Sequence, residues 1–128
     1  MRRRLLLVAL LAFHVDAFAH SGVPAEAIRS ATFAYQSQIT TTVLQAVVPE
    51  LAKHVELCRG DVKFSFRLDR QGRLSDLRVT SSTSNRFVEQ TTIRMIRATR
   101  FPPIPKKVIA EQGHDWVIVD SEIDITRH

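Results

Sequence analysis

Over residues 62–68 the chain alternates. Val62, Phe64, Phe66 and Leu68 are apolar, and Lys63, Ser65 and Arg67 between them are polar. Successive side chains of an extended backbone point to opposite faces, so this pattern predicts a strand with one buried face and one charged face. Asp69-Arg70-Gln71-Gly72 follows as a turn, with Gly72 placed to supply the positive φ such turns commonly need. Beyond it, Ser75, Leu77 and Val79 share one parity and Asp76, Arg78 and Thr80 the other. The two runs together predict an antiparallel hairpin. A third strand is predicted over residues 116–125. There Val117, Val119, Ser121, Ile123 and Ile125 alternate with Trp116, Ile118, Asp120, Glu122 and Asp124.

Two other stretches carry the helical period. Across residues 32–48, Phe33, Gln36, Thr40, Val43 and Val47 fall on one side, with Ile39, Leu44 and Ala46 beside them. The run Thr40-Thr41-Thr42 lowers helix propensity, so packing must hold this segment. Pro49 marks a kink or a stop, and Leu51, Ala52 and Val55 suggest one or two further turns. The second helix follows Ser81-Ser82-Thr83-Ser84-Asn85, which offers several N-caps, with Glu89 in the first turn. Val88, Thr92, Met95, Ile96 and Thr99 form its inward stripe, and Pro102, Pro103 and Pro105 end it.

The order is therefore α-β-β-α-β. A helical crossover between the second and third strands favours a parallel, right-handed relation between them. An antiparallel sheet meets that condition only if the first strand lies in the middle. The expected fold is α+β: a two-layer sandwich with a three-stranded antiparallel sheet of order 2-1-3 and two helices on one face.

Composition adds a compartment. The 128 residues suffice for one domain with a core, and the 45% apolar fraction excludes a disordered chain. Met1-Arg2-Arg3-Arg4 is a basic lead, the run to Val15 is apolar apart from His14, and Ala17-Phe18-Ala19 is a small-x-small site. This is the pattern of a secretory signal peptide over residues 1–19, with Ala17 and Ala19 at the cleavage site. The alternative is an uncleaved inner-membrane anchor, but Asp16 closes the run well short of the ~20 residues a spanning helix needs. The expected organisation is a signal peptide at 1–19, an arm at 20–31 and a domain at 32–128, with the mature protein in the periplasm. Without 1–19 the formal charge falls from +5 to +3 (15 basic and 12 acidic side chains), a weak attraction for nucleic acid. Cys58 is the only cysteine, so it forms no internal disulfide; it reads as a small buried residue or as a link to a second chain.

No residue set assembles into catalytic chemistry. The histidines are scattered and the serines cluster at a helix cap, so a nucleophile–base–acid arrangement has no basis and no catalytic residue, cofactor or metal ligand is assigned. No small-molecule substrate is expected. Asp120, Glu122 and Asp124 project from one strand face, as a weak calcium ligand set or as a charged edge that discourages aggregation. Arg94, Arg97 and Arg100 form a basic face, either solvated or turned toward lipid headgroups or an acidic partner. Trp116 reads equally as a partner anchor and as a lid on the core.

In order along the chain, these pieces resemble the TonB/TolA C-terminal domain family over residues 35–125. Val48-Pro49 and Ala52 stand where that family has Tyr-Pro and Ala, so the tyrosine is replaced. Gly60 precedes the alternating Val62-Lys63-Phe64-Ser65-Phe66, and Gly72 is the hairpin glycine. Ser81-Ser82-Thr83 stands for a Ser-Ser-Gly junction, Val88-Glu89 for a Leu-Asp helix start, and Phe101-Pro102-Pro103-Ile104-Pro105 is the complete Phe-Pro-Pro-x-Pro ending. The lone Cys58 departs from the cysteine pair of TolA-like members.

The resemblance implies a periplasmic protein-binding module that is not an enzyme. Its partner would be a bacterial envelope protein, with an outer-membrane receptor as the leading candidate. TonB-like domains pair their last strand with a receptor segment by strand addition. That points to Trp116, Val117, Ile118, Val119, Asp120 and Ser121 as the partner-binding stretch. The chain is expected to lack the long Pro-rich spacer of a transducer. The alternatives are an anchored energy transducer for outer-membrane transport and a structural component of an envelope or secretion assembly.

Overall fold

The computed structural model describes residues 30–125; the leader, its Ala17 and Ala19 site and most of the arm lie outside the described residues. The first helix, α1, spans Ala31–Ala52. Ser30 caps it, its Oγ accepting from the Phe33 amide at 3.0 Å. Glu111 adds a second cap from far along the chain, accepting from the Ala31 and Thr32 amides and the Thr32 hydroxyl. Three of the donors that a helix start leaves unsatisfied are thus paired. The hydroxyls of Thr40, Thr41 and Thr42 each donate to the carbonyl four residues back, which is how the helix accommodates that run. Pro49 is exposed and the helix continues through it to Ala52.

The buried stripe of α1 is Thr32, Tyr35, Gln36, Ile39, Val43, Val47 and Leu51. The periodicity placed Phe33 and Thr40 inward, but Phe33 is 37% exposed, while Tyr35 is 2% exposed. The cause is a distant partner. The Tyr35 hydroxyl donates to the Pro102 carbonyl at 2.9 Å, so the ring enters the core with its polar end satisfied. Burial, with the Asp69 charge second, pushes the Tyr35 pKa up to about 12. A short 3-10 turn, Val55–Leu57, follows α1. Cys58 beyond it is buried, its Sγ donating to the Leu51 and His54 carbonyls at the helix end.

The sheet consists of β1 (Gly60–Leu68), β2 (Leu74–Ser82) and β3 (Val117–Ile125) in the order β2-β1-β3, both pairings antiparallel. The two edge strands are therefore parallel to each other across β1, as the crossover argument requires. Val62, Phe64, Phe66 and Leu68 bury one face of β1, while Lys63 and Arg67 stand exposed on the other. In the hairpin turn the Asp69 carboxylate accepts from the Gln71 and Arg73 amides and from Arg73 Nε. Gly72 there has φ +81°, and a Cβ would lie 2.5 Å from the Phe101 carbonyl oxygen. No other residue fits that approach.

The second helix, α2 (Arg86–Ala98), is capped by Asn85, whose Oδ1 accepts from the Val88 amide. Val88, Thr91, Thr92 and Ile96 are its buried face. The third helix, α3 (Lys106–Gln112), is absent from the two-helix expectation. The prolines end α2, but proline is also well placed at a helix start because its fixed φ matches the entry and its missing N–H would go unpaired anyway. Pro105 opens α3, and Gly113 at φ 81° closes it in the left-handed conformation. Between the helices, Phe101 stacks on Phe66 at 5.4 Å and the Ile104 amide donates to the Arg70 carbonyl. The Phe-Pro-Pro-x-Pro segment is thus a clamp joining α1, the hairpin turn and the core.

Candidate binding edge

With β1 in the middle, β2 and β3 each expose one edge, and the two edges are built differently. The β1–β3 ladder runs without interruption through nine pairs, from Gly60 opposite Ile125 to Leu68 opposite Val117. The β1–β2 ladder slips twice, between Lys63 and Phe64 and between Ser65 and Arg67. Asp76 sits in the second irregularity with φ 54°. The bulges also change the phase of β2. Parity grouped Ser75 with Leu77 and Val79, but the slip sets Ser75 opposite Arg67, on the open face.

The inner side of β3 is fully engaged: Val117, Val119, Ser121, Ile123 and Ile125 are all buried. The outer side carries Ile118, Asp120, Glu122 and Asp124, each half-buried. Glu122 lies opposite Lys63 and Asp124 opposite Asp61. The Glu122 and Asp61 carboxyls share a hydrogen bond, which raises the Glu122 pKa above the usual carboxylate value, with partial desolvation adding to it. Asp61 is held below its usual value, first by the Thr83 hydroxyl and then by Glu122. Thr83 follows β2 at the junction with α2. Its amide donates to the Asp61 carbonyl, and its hydroxyl accepts from the Asp61 amide and bonds the carboxylate.

Trp116 immediately precedes β3 and lies half-buried on the open face, not over the core. Its ring stacks on His114 at 4.0 Å, and the Arg67 guanidinium lies 4.8 Å from its centroid. The Trp116 carbonyl accepts from Gln112 Nε2 at 2.9 Å, and His114 Nδ1 lies 2.8 Å away. No pattern of residues marks this closure, because it depends on α3 presenting Gln112 to the Trp116 carbonyl. The candidate stretch 116–121 therefore divides: Trp116 presents a side chain, while Val117 to Ser121 present backbone along the edge.

The candidate basic residues lie elsewhere. Arg94, Arg97 and Arg100 are exposed. Arg94 approaches Glu50 at 3.9 Å. Arg97 and Arg100 join Arg73, Leu74, Leu77 and Phe101 around a groove of about 730 Å³ beside β2. The structure thus places Arg97 and Arg100 beside β2, while Arg94 shares a second groove with Arg97 and turns toward Glu50. Among the described residues, no cluster of three or more His, Cys, Asp or Glu side chains is arranged to hold a metal ion. No helix among them is long and apolar enough to cross a membrane.

Comparison with known proteins gives this geometry a family. No curated protein matches the chain. A solved structure, the NMR solution structure of the Helicobacter pylori TonB C-terminal domain (residues 179–285), is similar over 85% of this chain and 97% of that one, at 16% identity and a TM-score of 0.49. The family model described as the Gram-negative bacterial TonB protein C-terminal matches residues 47–114, more than half of the chain. Those residues hold the hairpin, α2, the proline clamp and α3, and by that match the chain belongs to the TonB C-terminal family.

Proposed function

We propose that this domain is a non-enzymatic protein-binding module of the bacterial envelope, and that an extended segment of its partner adds to the outer edge of β3 as a fourth strand. The observation that carries this reading is the uninterrupted nine-pair ladder of β3, an edge strand with no bulge or proline along it. Such an edge presents alternate N–H and C=O groups at regular spacing, and main-chain bonds to them supply affinity without demanding a particular side-chain set. Trp116 and Ile118 offer apolar contact at one end, and Val117 to Ser121 supply the backbone. An outer-membrane receptor segment is the partner class that family membership favours. The working location is the periplasm, reached through a cleaved leader at 1–19, with residues 20–31 as an arm and 32–128 as the domain.

Adjacent residues in a strand direct their N–H groups to opposite sides, which gives a test. Of Ile118→Pro and Val119→Pro, one removes a bond to β1 and the other an outward N–H. The outward variant should keep the parent circular dichroism spectrum and lose capture of receptor segments. Capture surviving in that folded variant would exclude strand addition at β3. Mass spectrometry of the periplasmic protein tests the leader. A mature start at His20 is expected, and a retained Met1 would favour the anchored transducer. A second reading, contact with an acidic partner or anionic lipid as part of an envelope assembly, is favoured by the Arg73, Arg97 and Arg100 groove. It predicts salt-sensitive vesicle binding that is lost in Arg97→Glu.

A further inference from the structure

We propose that the β3 edge selects a basic extended segment, one with Lys or Arg at every second position, and disfavours a second copy of itself. This rests on the strand-addition reading and adds the chemistry of the incoming strand. A strand paired to β3 must match it on both faces. On the inner face it continues the row of Val119, Ser121 and Ile123, so alternate residues of the ligand are apolar or small. On the open face its other residues lie beside Asp120, Glu122 and Asp124.

Those three carboxylates are poorly compensated from within. Along β1 they face Ser65, Lys63 and Asp61 in turn, so one ammonium opposes the row and a fourth carboxylate joins it. Asp61, directly opposite Asp124 and one same-face pair along from Glu122, crowds the row, and the Glu122 pKa is raised accordingly. Cations on an added strand would stand directly opposite the row on its outer side, where opposite-charge cross-strand pairs stabilise and like-charge pairs destabilise. The same rule turns the edge against itself. Any β3–β3 pairing that keeps both open faces together sets acidic rows beside each other.

The test uses two blocked nine-residue peptides with identical Val and Thr at the inner positions and Lys or Glu at the alternate ones. Binding to the purified domain is followed by calorimetry at low and high salt. The Lys peptide should bind about tenfold or more tightly than the Glu peptide at low salt. That difference should shrink as salt rises. Asp120→Asn with Asp124→Asn, near-isosteric changes at the surface, should narrow the gap between the peptides, and Asp120→Lys with Asp124→Lys should invert it. Equal affinity of the two peptides would overturn the charge selection while leaving strand addition standing. Absence of binding by either would overturn both. Tight Lys-peptide binding that persists in the outward proline variant would place the contact away from the edge, and would equally sink the proposal.

Discussion

The two edges of the sheet share one central strand and differ in almost everything else. β3 runs in register with β1 along nine residues, buries every inner side chain and carries an acidic outer row. β2 slips twice against the same β1, holds Asp76 at φ 54°, buries none of its residues fully and flanks a groove lined with arginines. Since β1 is common to both, the difference arises in the edge sequences. β3 alternates buried and half-buried positions along its whole length, whereas Ser75 and Asp76 set two exposed polar residues in succession where the bulge lies. Bulges twist an edge away from straight pairing and are a common protection against unwanted strand addition. An edge is therefore receptive because it is regular, and exposure alone does not make it so. The family match ends at residue 114, just before Trp116. The shared family pattern thus covers the scaffold, and β3, the edge proposed above for recognition, lies beyond it.

The comparison breaks most completely if the scaffold under both edges is removed. Phe66 is 1% exposed and packs on Phe64 and Phe101. Phe66→Ala should cost about 3–5 kcal/mol, measured by urea denaturation, and should abolish binding at either edge. A loss below about 1 kcal/mol would mean the clamp is not anchored as described. A proline that removes an outward N–H sharpens the contrast. In β3 it should weaken partner binding by roughly thirtyfold or more, about 2 kcal/mol. The equivalent change at Arg78 or Val79 in β2 should leave affinity unchanged. Equal losses at the two edges would erase the distinction.

Smaller effects probe the supports. Asn85 caps α2 and donates its side-chain N–H to the Leu57 carbonyl, tying that helix to the end of the α1 segment. Asn85→Ala should cost about 1 kcal/mol in stability, with little change in affinity at the β3 edge. The pH dependence is the weakest and the most specific effect. Hydrogen bonds from the Thr32 and Ala31 amides hold Glu111 below the usual carboxylate range. Its stabilising contribution is present above that range and disappears as pH falls through the lowered value. Glu111→Gln should therefore melt below the parent at neutral pH and converge with it in strong acid. Glu122 has the opposite sign, because the shared proton raises its pKa. The folded state is favoured by protonation there, so stability declines as pH rises through that value. Glu122→Gln should slightly raise the neutral-pH melting temperature, and a drop would contradict the crowding described for the outer row.

Much of the fold was legible because its signals are local. Strict alternation marked β1, the shared parity of Val117, Val119, Ile123 and Ile125 marked β3, Gly72 marked the turn, and the crossover placed β1 at the centre. What escaped rests on one contact distant in sequence and on local signals that read two ways. Tyr35 displaces Phe33 from the core because its hydroxyl meets Pro102, 67 residues away. α3 is hidden because a run of prolines signals the end of one helix as readily as the start of the next, and Pro105 begins a helix. The phase change in β2 turns on a backbone angle at Asp76 that its side chain permits but does not announce. The candidate edge itself followed from strand order. The hold on the Trp116 carbonyl did not, because it needs Gln112 delivered by α3.

Residue-resolved amide hydrogen exchange on β3 and β2, with and without an extended basic peptide, tests the central claim most directly. In the free domain, alternate amides of β3 that bond to β1 should be protected and those between them should exchange rapidly. On binding, the rapidly exchanging set of β3 should become protected while the outward amides of β2 keep their rates. Protection gained on β2, or on neither strand while the peptide is bound, would contradict strand addition at β3.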